Sequence, residues 1–401
     1  MTLTGQGALS GLRVLDCSRF IAGPYCGMLL GDLGADVVKV ERPQGGDEAR
    51  SFGPAIAGET LYVMVYNRNK RSVTIDFRHA EGPALLRDLA ARADVLIENF
   101  RPGVMEAMGC DWPRLRAVNP RLIMARVSGF GQDGPLAERP GLDVIGQAMG
   151  GLMHLTGPSD APPTMAGVYV VDCATALYTT IGILAALERR HATGRGQLVD
   201  TSLLDSAVSL LPTAIPEQLA LGGAAARQGN RDRYAAPSNT FRARDGAWVH
   251  VVAGSQALFV RLAAVMGRPD LLEHPDSATQ EARVKHVQAV EQVTADWVAD
   301  HTADEIVDLL GQAGVPAARV ASIAEVADNP QLRHRGRIVN VEHPSAGTLP
   351  TVGPVIGLSE SPAAIRRPAP RLGEHTDEVL RDWLALTPDR IAALRAGGVL
   401  T

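Results

Sequence analysis

Apolar residues near the start of the chain fall into short continuous runs separated by amphipathic stretches. Leu12 to Asp16 (LRVLD) is such a run, closed by an acid, and reads as a buried strand. Ala22-Gly23-Pro24 reads as a turn and Tyr25 to Leu33 as a helix with Gly34 at its C′ position. Asp36 to Glu41 (DVVKVE) is the next strand, completing a β-turn-α-β unit with a right-handed crossover. The alternation continues through strand Ser72 to Asp76, helix Gly82 to Ala93, strand Val95 to Glu98, helix Trp112 to Val118 and strand Leu122 to Val127. Five strands alternating with helices within the first ~130 residues predict a doubly wound, Rossmann-like α/β domain built on a parallel sheet.

After Gly129 the chain becomes Gly/Pro-rich up to Pro163, then reads as a long helix, Asp172 to Thr193, and a strand, Gln197 to Asp200. Hairpin-like residues Asn239 to Val252 and two charged helices, Ala282 to Ala299 and Ala303 to Ala313, mark a smaller α+β unit. Prolines at 344, 350, 354, 362, 368 and 370 precede a closing helix, Asp377 to Trp383, as suits a chain returning to the first domain. The predicted division is a large α/β domain, residues 1–205 completed by 345–401, a small domain, 225–330, and linkers at 206–224 and 331–344.

Composition narrows the function. With 401 residues, 46% hydrophobic and 21% charged, the chain suits a globular protein of two domains. Its net charge of −5 gives no basic excess for nucleic acid. Cys17, Cys26, Cys110 and Cys173 form no CxxC pair and read as reduced thiols. Met1 to Ser10 lacks the basic start and apolar core of a signal peptide, and the apolar stretch Ala174 to Leu187 reads as too short to span a bilayer. A soluble cytoplasmic protein without a membrane or nucleic-acid partner is expected.

Four features carry candidate chemistry. Gly23, Gly27 and Gly31 repeat as GxxxGxxxG, which suits a close-packed helix face better than the GxGxxG that would put Glu41 on a dinucleotide ribose. Asn67 to Arg71 (NRNKR) reads either as a solvated turn or as a phosphate clamp. Asp172 is the only charged side chain from Ala161 to Leu187. It reads as a helix N-cap, as a nucleophilic carboxylate, or as both, with the helix N-terminus keeping it ionised at neutral pH. The ten histidines form no metal motif, and no GxSxG elbow occurs.

Several ordered segments carry a family likeness: GLRVLDCSRFIAGPYCGMLLGDLGADVVKVERPQGGDEAR (11–50), NRNKRSVTIDF (67–77), ENFRPG (98–103), SGFGQDGP (128–135), GILAALERRHATGRGQLVDTSLLD (182–205), AGVP (313–316) and LGEHTDEVL (372–380). In these the chain resembles the class III coenzyme A transferases, which include formyl-CoA transferase and carnitine CoA-transferase. GLMHLTGP (151–158) and VDCATALY (171–178) resemble the succinyl-CoA:glutarate branch, which implies dicarboxylic acids. The likeness places the family's nucleophile at Asp172. It places the coenzyme A site at Ala22, Gly23, Pro24, Arg42, Ile75, Arg78, Asn99 and Phe100, with Met108 nearby and Ile21 beside the acyl group. Ile21 and Ala107 stand where formyl-CoA transferase has glutamine and arginine, and its glycine-rich lid has no counterpart, which argues against formyl and oxalyl groups.

The resemblance further implies an interlocked-ring homodimer with no metal and no tightly bound cofactor, taking coenzyme A or acyl-CoA and carboxylic acids as substrates. The implied reaction runs through an aspartyl-CoA thioester on Asp172, and the glycine pair Gly150-Gly151, read from the residues alone, offers backbone amides as candidate oxyanion donors. Two rivals share the fold. An α-methylacyl-CoA racemase would need a histidine where Pro140-Gly141-Leu142-Asp143 places Leu142, and a non-catalytic acyl-CoA-binding protein would not need Asp172.

Overall fold

The five strands read within the first ~130 residues form, and the strand read at Gln197 to Asp200 joins them as the sixth of one parallel sheet. The computed structural model describes residues 7–223 and 225–401. Met1 to Gln6, within the segment read for a signal peptide, and Ala224 lie outside the described residues. Strands β1 (Arg13–Asp16), β2 (Asp36–Glu41), β3 (Lys70–Thr74), β4 (Val95–Glu98), β5 (Ile123–Ser128) and β6 (Leu198–Ser202) take the order β3-β2-β1-β4-β5-β6. Each neighbouring pair is parallel. The order reverses between β1 and β4, so the carboxyl ends of these strands open the crevice where doubly wound folds bind ligands.

Helix α1 (Ala22–Asp32) starts earlier than the sequence suggests, because Ala22-Gly23-Pro24 forms its first turn. Proline is tolerated there, where an amide has no intrahelical acceptor. The glycine face packs as expected. A Cβ on Gly23 would lie 2.2 Å from Ser18 Cβ, and one on Gly27 would lie 2.9 Å from Asp16 Oδ2.

Asn67 to Arg71 is neither a solvated turn nor a phosphate clamp, because all five residues are buried and every cation has a carboxylate partner. Arg68 pairs with Asp32 at 2.6 Å. Lys70 reaches Asp16 at 2.7 Å and also donates to Pro24 O and Asn67 Oδ1, both at 2.8 Å. Arg71 spans Asp36, Glu378 and Asp382 at 2.6–2.9 Å, tying the closing helix Thr376–Leu384 to the sheet.

Four further helices complete the frame of the site: α2 (Leu61–Tyr66), α3 (Asp143–Met149), α4 (Val170–Thr193) and α5 (Leu203–Ser209). The apolar stretch Ala174 to Leu187 lies inside α4, whose 24 residues are long and apolar enough to cross a membrane, contrary to the sequence reading. Here α4 packs Val171, Thr175, Ala176, Thr179 and Ile183 into the protein, against α1 and the β5–β6 edge.

Chain contacts group residues 7–152, 166–213 and 330–401 into one unit. The second takes 153–165, 214–223 and 225–329, and centres on an antiparallel sheet of Ser238–Arg242, Trp248–Val252 and Ala317–Arg319. The stretches read as linkers carry ordered elements, among them α5, Ala214–Leu221 and the strand Ile338–His343. The helix expected over Ala282 to Ala299 is two helices that break at His286.

Lys70→Met strands Asp16 in the interior and should cost about 3–5 kcal/mol in urea unfolding. Truncating exposed Arg78 should cost no more than about 0.5 kcal/mol.

Candidate active site

The turn from Cys17 to Ile21, between β1 and α1, is held from below by buried charges. Asp16 Oδ1 accepts from the Ser18 amide at 3.0 Å and from the Ser18 hydroxyl. Lys39 Nζ donates to Ser18 O at 2.9 Å and pairs with Asp47 at 2.8 Å. Asp47 Oδ1 in turn accepts the Phe20 amide at 3.0 Å. Asn99, just past β4, bonds both backbone groups of Arg19 at 2.8 Å. These contacts keep Phe20 at a left-handed φ of 63°, a conformation a bulky side chain adopts only when its surroundings impose it.

Two pockets, of about 350 and 300 Å³, open on this turn and share Arg19 and Phe100. The Arg19 guanidinium stacks 5.0 Å from the Phe100 ring and pairs with Glu48 at 2.8 Å. The larger pocket carries Arg42 and Arg78, beside Gln44 and Phe77. Glu41 also lines it, but its carboxylate is engaged by Arg50, Ser72 and the Asp47 amide, which removes the ribose-binding role considered for it. The smaller pocket carries Asp172 at the first turn of α4 and Ile21 and Ala22 at the start of α1. Ala22 and Gly23 supply first-turn amides at this helix end, which favours negative charge.

Asp172 is not the N-cap. Tyr169 occupies that position without a side-chain cap, and the capping oxygen comes from another helix. Buried Asp143 on α3 accepts the amides of Val171 at 2.8 Å and Asp172 at 3.0 Å through Oδ1, while Gln147 Nε2 donates to its Oδ2 at 2.5 Å. Gln147 is itself fixed, since its Oε1 accepts the Ala166 amide at 2.9 Å. Among the described residues no hydrogen bond or ion pair reaches the Asp172 carboxylate. Burial pushes that carboxyl up to about 7, and the adjacent Asp143 charge adds to the rise. The helix N-terminus does not offset the burial of Asp172 as expected, because Asp143 already takes the Val171 and Asp172 amides.

The crevice thus gathers Ile21, Ala22, Arg42, Arg78, Asn99, Phe100 and Asp172. Gly23 and Pro24 lie buried in the first turn of α1, the former admitting Ser18 and the latter accepting Lys70. Ile75 is core, Met108 packs against the same core, and neither is among the residues lining these two pockets. Gly150 is not a free oxyanion donor, because its amide donates to Gly146 O at 2.8 Å. Sequence reasoning missed Arg19, Arg101 and Arg139, which line the smaller pocket from loops where single arginines leave no periodic signal. It also missed Asp143, although the segment holding it had been noted.

The family model described as CoA-transferase family III matches residues 9–376. Succinyl-CoA–D-citramalate CoA-transferase of Chloroflexus aurantiacus is 40% identical over 98% of both chains. Human succinyl-CoA:glutarate CoA-transferase is 33% identical over 98% of this chain and 90% of its own. Among solved structures, a CAIB/BAIF family protein from Brucella suis superposes with a TM-score of 0.84 at 36% identity, covering 94% of this chain and all of that one.

The raised Asp172 carboxyl has a stability consequence. The folded chain binds a proton there that the unfolded chain releases, so this group's contribution falls as pH rises from the ordinary carboxylate range through about 7. Asp172→Asn removes that penalty and should raise the melting temperature more at pH ~8 than at pH ~5 by differential scanning fluorimetry.

Proposed function

This chain belongs to CoA-transferase family III, and on that premise we propose that it moves coenzyme A from an acyl-CoA to a free carboxylic acid through a thioester on Asp172. The observation that carries the proposal is an Asp172 carboxylate without a partner, in a pocket that shares Arg19 and Phe100 with a second, cation-lined pocket. The second pocket suits the phosphorylated part of coenzyme A, with Arg42 and Arg78 as phosphate partners and Phe100 and Phe77 as apolar walls.

In this mechanism an Asp172 oxygen attacks the donor thioester carbonyl, and the C–S bond breaks to give a mixed anhydride and the coenzyme A thiolate. The thiolate attacks the Asp172 carbonyl carbon and displaces the donor acid, which leaves carrying one aspartyl oxygen. The acceptor carboxylate then attacks the aspartyl thioester and releases the thiolate. That thiolate takes the acceptor's acyl group, restoring Asp172 with an oxygen from the acceptor. One thioester replaces another, so the exchange is nearly thermoneutral and needs no nucleotide.

A dicarboxylic acid is the acceptor class the smaller pocket suits best. Its walls include Phe20, Ile21, Leu142 and Leu203, while Arg101 and Arg139 carry no carboxylate partner among the described residues. Such a chamber takes an apolar middle and a distal carboxylate, which the arginine fork matches. Residues from α4 support the homodimer the family likeness implies: Leu177, Tyr178 and Ile181 stand 42–60% exposed on one stretch of helix. A cytoplasmic setting completes the proposal. The racemase alternative finds no support in the smaller pocket, whose lining has no histidine and carries Leu142 instead.

Succinyl-CoA with glutarate, followed by chromatography of the acyl-CoA products, tests the reading. Transfer should follow ping-pong kinetics, and with glutarate whose carboxylate oxygens are heavy-labelled, the label should enter the peptide holding Asp172. Transfer without label entry would sink the covalent route. Arg139→Ala should raise KM for dicarboxylate acceptors about 10–100-fold, the worth of a charge-assisted bond, and leave a monocarboxylate acceptor unchanged.

A further inference from the structure

We infer that Asp143 is a positioning residue for the transfer reaction, clamping the first turn of α4 and occupying its amides so that the Asp172 carboxylate meets the acyl-CoA unbonded; this rests on Asp172 being the nucleophile. Three observations converge. Asp143 is 2% exposed and stands outside both pockets, so it does not touch substrate. Its oxygens take three donors, the Val171 and Asp172 amides and Gln147 Nε2, so its carboxyl group is fixed in position. Gln147 is fully buried and offers Asp143 its donor end, because its oxygen is tied to the Ala166 amide.

A helix first turn ordinarily presents its free amides to whatever carboxylate is nearest. A nucleophile bonded to two amides is a weaker one, because its lone pairs are engaged and its charge is stabilised before attack. Asp143 takes that stabilisation for itself and leaves Asp172 bare. It also sets a fixed negative charge beside a group whose charge disappears during the reaction. Converting Asp172 to an anhydride or thioester removes one of two neighbouring charges, so Asp143 favours the acylated forms over the free carboxylate.

The other groups around Asp172 do not counter this. Tyr66 on α2 and Cys173 on α4 stay neutral, since burial pushes the Cys173 thiol up to about 11 and the Tyr66 hydroxyl higher still. The cations Arg19, Arg101 and Arg139 line the pocket and form no ion pair with Asp172.

The test is single-turnover loading of the enzyme with succinyl-CoA from pH ~5 to ~9, read by intact-protein mass spectrometry, for the unmodified chain, Asp143→Asn and Asp143→Glu. The asparagine retains an oxygen for both amides and loses the charge. It should load at least about tenfold more slowly at pH ~8, with an acid limb displaced to lower pH and with KM for succinyl-CoA unchanged. The glutamate should restore most of the rate. Asp143→Asn loading within about twofold of the unmodified chain, with the same limb, would overturn the inference while leaving Asp172 as nucleophile. No loading of the unmodified chain, with binding intact, would instead remove the reading on which it rests. Should Asp143→Asn fail to fold, Asp143→Ser, which offers a hydroxyl oxygen to the same amides without the charge, takes its place and is read against the same two outcomes.

Discussion

The structure of the site depends on two ammonium groups that lie entirely inside the protein. Lys39 and Lys70 point from neighbouring strands toward the end of β1, where Asp16 and Asp47 meet them. An unpaired charge in that position would cost several kcal/mol, so the four groups must be placed together or not at all. Placing them fixes the Ser18 carbonyl, the Phe20 amide and the Pro24 carbonyl, and with them the turn that both pockets share. Gly27 belongs to the same constraint, since a side chain there would strike Asp16. The fold thus commits its charge pairs beneath the crevice and leaves the surface above to the substrate.

At the opposite wall the same physics is used in reverse. Asp143 and Asp172 are like charges placed side by side, and only Asp143 is given hydrogen-bond donors. On the proposed mechanism, a carboxylate kept bare is costly to the resting chain when ionised, and that anion is the stronger nucleophile for it. The buried cations make the turn rigid, and on the proposed mechanism the repulsion from Asp143 favours the acylated forms of Asp172. Stability and reactivity are divided between the two helix ends, α1 and α4, that face the crevice.

Much of this was legible from residues close in sequence. Strands β1 to β5 showed as apolar runs, Gly34 marked the end of α1, and Asp172 stood out as a single charge in an apolar stretch. What stayed hidden was partnership at long range. Asn67 to Arg71 looks like a basic surface cluster because its partners lie far away, Asp32 and Asp36 before it and Glu378 and Asp382 beyond 300 residues after it. Asp172 looks like its own helix's cap because nothing local reveals that Asp143, on another helix, does that work. Ala22-Gly23-Pro24 looks like a turn because glycine and proline are ordinarily breakers, yet a first helical turn accepts both.

Mass spectrometry of the protein after succinyl-CoA alone, with borohydride or hydroxylamine trapping and peptide mapping, tests the central claim most directly. The account predicts a trapped modification on the peptide containing Asp172, absent from Asp172→Ala. A trapped group on any other residue, or none across a panel of acyl-CoAs that bind, would contradict it.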